Sequence, residues 1–294
     1  MATSNFAVFI LTNGRANNVI TYEKLRKHGY TGKIYLIVDD EDKQVNDYKE
    51  KFKEEVIVFS KQLAINLTDS GDNFKKRNSV VYARNYSFEI AKNLGIRYFL
   101  QLDDDYTRFA YTYNPHFEYL TRDMDIKSLD KIFEYVLKFF DKTKNVTTVA
   151  FAQGGDFIGG GESNFAKHGA TGKFSRKAMN SFFCDIERPF KFYGRINEDV
   201  NVYTNDGLKG KIFLTIPFLR LDQLDTQTNE GGLTDIYLDL GTYVKSFYSV
   251  MYAPACVVIK EMGRTSKRLH HRVSWKKTVP CIISDKYRNI KTEL

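Results

Sequence analysis

Three consecutive aspartates, Asp103, Asp104 and Asp105, stand directly behind a strand-like run in the stretch FLQLDDDYTRF. Like charges a few ångströms apart raise one another's pKa unless a cation relieves them. Mg²⁺ and Mn²⁺ suit that role, because they bind through one or two protein carboxylates plus substrate phosphates. Side chains of an extended segment alternate between two sides, so Asp103 and Asp105 are expected to share a face and meet the metal. Asp104 then points the other way, free to hold a sugar hydroxyl or a basic residue.

Other reactive residue types recur at positions that could join this cluster. Asp39 and Asp40 close the strand-like YLIVDD, where a carboxylate can accept hydrogen bonds from ribose hydroxyls or a base imide. Thr12, Asn13, Gly14 and Arg15 follow the first apolar run in TNGRANN, a loop expected to offer free backbone to a nucleotide and its phosphates. Arg84 and Asn85 lie in VYARNYSFEIAK, from which a guanidinium can touch phosphate or clamp an acidic turn. Glu198 and Asp199 open a helix in GRINEDVNVY. The helix macrodipole alone would favour acids there, but either could be a general base for an acceptor hydroxyl. His270 and His271 sit in the basic stretch KRLHHRVSW, where an imidazole could complete a metal site and the cations could bind diphosphate or nucleic acid.

The elements that must position these groups alternate regularly. NFAVFILTN, GKIYLIVDD, EVIVFS and IRYFLQL read as strands, separated by helical patterns at VITYEKLRKHGY, residues 42–53 and Ser79–Leu94. Such alternation predicts βαβ units and a largely parallel sheet, whose ligands bind beyond the carboxyl ends of the strands. An amphipathic helix, IKSLDKIFEYVLKFFDK, and a strand, VTTVAFAQ, follow. Their Phe and Tyr stripes read as core. Beyond them we expect a flexible loop at 154–164, a short helix at NEDVNVY, a strand at KIFLTIPFLRL, a helix from Thr234 to about Val250 and a strand at APACVVI. One compact unit results, its halves dividing at about residue 107.

The 294 residues are 43% hydrophobic and 15% aromatic, enough for a sizeable core. A net charge of +8 favours a polyanionic or phosphorylated partner. Cys184, Cys256 and Cys281 form no CxxC pair, which argues for reduced thiols and against a disulfide scaffold or cysteine-rich zinc site. No apolar run approaches the ~18 residues that span a bilayer, so a cytoplasmic protein is expected, in the host cytoplasm if it is viral. KHGATGKF is no phosphate loop, since Lys167 replaces its first glycine and Phe174 its Ser/Thr.

The order of a strand ending in VDD, a helix containing ARN, a strand ending in LDDD, a glycine-rich loop and a later NED resembles GT-A-type nucleotide-sugar glycosyltransferases. More narrowly, ARNYSFEIAKNLGIRYFLQLDDDY with GRINEDVNVY is similar to the TET-associated glycosyltransferase family of bacteriophages, over roughly residues 5 to 260. That resemblance implies a GT-A fold, an α/β architecture with a Rossmann-like, mostly parallel sheet flanked by helices. Residues 1–106 would form its nucleotide-sugar-binding half and residues 107–294 its acceptor-binding half. The implied activity is metal-dependent transfer of a sugar, glucose or a pentose such as arabinose, from a UDP-sugar to the hydroxymethyl group of a pyrimidine in DNA, 5-hydroxymethylcytosine foremost. Position for position, it assigns Asp103 and Asp105 to Mn²⁺ or Mg²⁺ and the diphosphate, Asp39 or Asp40 to the nucleoside, and Glu198 or Asp199 to the acceptor hydroxyl, with Asp199 favoured. The competing readings are transfer to a protein or glycan hydroxyl, and nucleotidyl transfer at a similar metal site.

Overall fold

A strand buried on both faces must feed two apolar layers, and the first strand does so residue by residue. In the computed structural model of the protein, which describes residues 5–75, 77–224, 241, 243–263 and 267–280, β1 (Phe6–Leu11) is buried throughout. Phe6, Val8 and Ile10 join Leu36, Leu100 and Phe133 in one core, while Ala7, Phe9 and Leu11 join Val81, Phe88 and Phe99 in the other.

The predicted alternation holds through the first half: α1 (Ile20–Lys27), β2 (Lys33–Asp39), α2 (Val45–Phe52), β3 (Val56–Phe59), a short α3 (Lys61–Asn66), α4 (Val80–Asn93) and β4 (Tyr98–Asp103). Ser79 caps α4 by accepting from the Val81 amide at 3.3 Å. The second half contains β5 (Tyr106–Tyr113), β6 (Tyr119–Asp125), α5 (Leu129–Lys142), β7 (Val146–Gln153), α6 (Asn164–Ala170), β8 (Phe182–Asp185), α7 (Glu198–Leu208), β9 (Ile212–Gln223), α8 (Val244–Tyr252), β10 (Val257–Met262) and β11 (Arg268–Val273). The expected helix from Thr234 is described only from Val244 onward; its earlier part lies outside the described residues.

The strands form a nine-stranded sheet in the order β3-β2-β1-β4-β8-β7-β9-β5-β6, beside a β10–β11 ribbon. All but β5 and β8 of the nine point the same way, so the carboxyl ends of β1, β2, β4, β7 and β9 share one edge. That edge carries the candidate chemistry. The glycine-rich segment 154–164, expected as a flexible loop, contains two 3-10 turns. Asp156 braces the first of them, accepting from the Gln153 amide at 2.9 Å and pairing with Lys177. Cys184 and Cys256 are buried free thiols, and Cys281 lies outside the described residues. Among the described residues no helix is long and apolar enough to cross a membrane.

Candidate active site

The aspartate triplet sits where β4 gives way to a turn. Asp103 is the last residue of β4, Asp104 and Asp105 make the turn, and β5 starts at Tyr106. The alternation expected for an extended segment therefore does not govern residues 104 and 105. A different division of labour results. Asp104 is buried and committed to the β1 loop, accepting from Thr12 Oγ1 at 2.7 Å and pairing with Arg15 Nη1 at 2.6 Å. Asp103 Oδ1 accepts from Arg84 Nη2 at 2.9 Å. Asp105 has no such cation: its Oδ1 is buried without a partner among the described residues. Burial, with Asp103 and Asp104 beside it, pushes its carboxyl up to about 7.

All three carboxylates border a cavity of about 170 Å³ whose other wall comes from β1, β2 and the start of α4. On that wall Asp39 is buried, pairing with Lys61 Nζ at 3.1 Å and accepting from Asn13 Nδ2 at 2.9 Å. Asp40 leaves the cavity and caps α3, its Oδ1 accepting from the Lys61 amide at 2.9 Å. The structure thus brings Asp39, not Asp40, to the cavity. The expectation of free backbone after β1 is not met. The amides of Gly14, Arg15 and Ala16 donate to Asp42 Oδ2 at 2.7 Å, Tyr48 Oη at 2.8 Å and Gln44 Oε1 at 2.8 Å. From this loop Thr12, Asn13 and Arg15 line the cavity.

The NED segment arrives from the opposite side. β8 runs against its neighbours, so the chain must return to the carboxyl edge before α7, and Gly194 and Arg195 make that return. Gly194 takes φ +83°, and a Cβ there would lie 2.6 Å from Asn201 Nδ2, so no other residue fits without displacement. Buried Arg195 fastens the turn to segment 69–74, with Nε donating to Asp72 Oδ2 at 2.9 Å and Nη2 to Phe74 O at 3.1 Å. Asn197 then enters α7 at φ 55°, a left-handed geometry that costs free energy outside glycine and clusters at functional sites.

Arg84 joins the two halves of the site. Only 1% exposed, it donates from Nε to Glu198 Oε1 at 2.9 Å as well as from Nη2 to Asp103. Its Nη1 is buried and unpartnered among the described residues. Asn85, its neighbour, instead bridges to Phe192, donating to the carbonyl at 3.1 Å and accepting from the amide at 2.8 Å. Glu198 is spent on Arg84. Among the described residues Asp199 has no cationic hydrogen-bond partner; its Oδ1 accepts from the Val200 amide at 2.7 Å. Burial and the neighbouring Glu198 push its carboxyl up to about 7, suited to taking a proton near neutrality.

Among the described residues no three His, Cys, Asp or Glu side chains gather as a metal-ligating group, so His270 and His271 do not complete a set with Asp103 and Asp105. They stack on each other with ring centroids 4.4 Å apart, and His271 Nδ1 lies 3.3 Å from Asn197 Nδ2. Burial, His270 and Lys245 push the His271 imidazole down to about 4. Lys245 and Arg268 make the surroundings of the pair cationic. Trp275 stacks on Tyr203 of α7 with ring centroids 5.5 Å apart. Asp103 and Asp105 do fit a hard divalent cation: both supply carboxylate oxygens, and the unpartnered Oδ1 and raised carboxyl of Asp105 mark a deficit of positive charge. Lys61, Arg195, Asn197 and Asp72 were not singled out by sequence. Asn197 was legible as part of NED, whereas a lysine after a strand gives no sign that it will be buried on Asp39.

A family model described as TET-Associated Glycosyltransferase matches residues 6–232. No curated protein matches the chain in sequence. Among solved structures, it is similar to glucosyl-3-phosphoglycerate synthase from Mycobacterium tuberculosis in complex with Mn²⁺, UDP and phosphoglyceric acid, at 10% identity and a TM-score of 0.46, covering 92% of this chain and 88% of that one. A mannosyltransferase from Pyrobaculum calidifontis in complex with GDP-Man and Mn²⁺ aligns at 11% identity and a TM-score of 0.46, covering 84% of this chain and 61% of that one. TarS from S. aureus in complex with UDP-GlcNAc aligns at 13% identity and 0.39, covering 84% and 66%. With its family model matched over most of its length, this chain belongs to the TET-associated glycosyltransferase family.

Proposed function

We propose that this glycosyltransferase moves a hexose or pentose from a UDP-sugar to the hydroxymethyl group of a pyrimidine in DNA, 5-hydroxymethylcytosine foremost, in the GT-A manner and in a reducing cytoplasm. One observation carries the reading. Buried Arg84 ties Asp103, which lines the donor cavity, to the NED helix at Glu198, and the next residue, Asp199, has no cationic hydrogen-bond partner among the described residues. Asp39, held by Lys61 and Asn13, receives the nucleoside, and the half up to residue 106 provides the donor cavity. The remainder presents the acceptor.

Asp103 and Asp105 would hold Mn²⁺ or Mg²⁺, which when bound neutralises the donor diphosphate as a Lewis acid. The chain's own residues do the rest. Arg84 Nη1 offers a donor to a phosphate oxygen, and Asp199 takes the proton from the acceptor hydroxyl. The acceptor oxygen bonds to the anomeric carbon as the bond from that carbon to the UDP oxygen breaks, its electron pair leaving with UDP.

The test offers the protein Mn²⁺, labelled UDP-sugars or nucleoside triphosphates, and duplex DNA bearing 5-hydroxymethylcytosine, 5-hydroxymethyluracil or unmodified cytosine, then digests the DNA to nucleosides for mass analysis. A hexose or pentose mass on a hydroxymethylated nucleoside, with UDP released, is expected. Label on protein or free glycan alone, or pyrophosphate release without UDP, would defeat the reading.

A further inference from the structure

The β10–β11 ribbon has two unlike faces. Its register pairs Val258 with Arg272, Lys260 with His270 and Met262 with Arg268 on one face, and Ile259 with His271 and Glu261 with Leu269 on the other. The second face turns toward the protein at His271, which meets Asn197 at 3.3 Å, and its acid is neutralised by Lys267 at 2.9 Å from Glu261. The first face carries no acid. Lys260, Arg268 and Arg272 on it are exposed, and none of their side chains has an ion pair or hydrogen bond with the described residues. Val258 and Met262 between them are 48% and 40% exposed.

Spacing and continuity say what such a face would hold. Arg268 and Arg272 stand four residues apart on one strand, with Lys260 across from the midpoint. Each two-residue step rises about 6.8 Å, the axial rise of two nucleotides of a duplex strand at about 3.4 Å each. A linear row of cations with no acidic partner among the described residues suits a polyanion better than one compact diphosphate. The row also leads into the active site. Arg268 lies near Lys245 of α8 and His270, whose Nδ1 is buried without a partner among the described residues, and Asn197 Nδ2 donates to Lys245 O at 2.9 Å one residue before Glu198. Burial and Arg268 lower the Lys245 ammonium while Asp199 raises it, and burial with Lys245 and Arg268 lowers His270, so the cations of this inner end face Asp199.

We infer that the face formed by Lys260, Arg268 and Arg272 is the track for the phosphodiester backbone of a DNA strand, leading its target nucleotide to Asp199. This builds on the proposed DNA acceptor but is measured without any transfer. The test compares wild-type protein with Lys260→Ala/Arg268→Ala/Arg272→Ala by fluorescence anisotropy on labelled single-stranded and duplex DNA across a salt series, with UDP binding and thermal unfolding as controls on the donor cavity and fold. The slope of log K against log salt should lose about 2 units or more, at ~0.7–0.9 per phosphate contact, and affinity at low salt should fall at least ~10-fold while UDP binding is unchanged. The single variant Lys260→Glu, which alters one exposed side chain, should show the same direction with a smaller loss. An unchanged slope in both variants would overturn the inference, as would wild-type binding of polyglutamate as tight as that of DNA. Binding lost in the variants of a protein that adds sugar to no nucleoside would defeat the transfer reading and leave this surface standing.

Discussion

Asp199→Asn is expected to lower kcat by about 10²–10⁴-fold, the usual contribution of a positioned general base, while leaving UDP affinity near the wild-type value. The asparagine is nearly isosteric and its Oδ1 can still accept from the Val200 amide, so the loss would report the proton acceptor and not the fold. The pH profile gives the sign. The base acts when ionised, so wild-type kcat/KM should fall tenfold per unit below about 7 and level off above it, following the raised Asp199 carboxyl. Stability runs the other way. A folded pKa above the ordinary carboxylate value favours the protonated form, so ionising Asp199 costs stability as pH rises through about 7. The variant should therefore melt above wild type at pH 8, with the gap closing toward pH 4. Full transfer rates in Asp199→Asn would place the base elsewhere, and Glu198, bound to Arg84, is the less suitable alternative.

Arg84→Met should destabilise the protein by about 3–5 kcal/mol, the cost of breaking a buried ion pair by removing one partner. Two carboxylates depend on this guanidinium, with Glu198 Oε1 and Asp103 Oδ1 each 2.9 Å away and Arg84 only 1% exposed. The guanidinium also lies over an aromatic ring, its carbon 5.1 Å from the Phe182 ring centroid. Urea unfolding should show a lower midpoint with an unchanged m-value, and Arg84→Met/Glu198→Gln should recover part of the loss because one stranded charge is gone. A change below about 1 kcal/mol would mean that solvent reaches these carboxylates and that the bridge between the two halves contributes little.

What was legible in the sequence was what local pattern encodes. The apolar runs of β1, β2 and β4, the helical spacing ending at Gly95 and the amphipathic α5 all announce their elements within a few residues. β8 did not, because FFCD is four residues long and buried on both faces, so no alternation marks it. The β5–β6 hairpin follows an acidic turn and carries polar Thr107, Arg108 and Thr112 among its aromatics, which blurs the period. Each acidic cluster was visible, but not which member would remain uncommitted. That choice depends on partners distant in the chain: Arg15 is 89 residues from Asp104, and Arg84 is 114 from Glu198. Nor does the sequence show that Lys245, which belongs to α8, stands near His270 and His271 of β11.

The central claim is that the carboxyl edge of the sheet binds a nucleoside diphosphate with a divalent metal, and a crystal of the protein grown with UDP and Mn²⁺ tests it most directly. Anomalous scattering should place the metal between Asp103 and Asp105, with the nucleoside against Asp39, and the peak should vanish in crystals of Asp105→Asn. A metal seated at His270 and His271, or UDP bound away from the cavity lined by Asp39 and Asp103, would contradict the account.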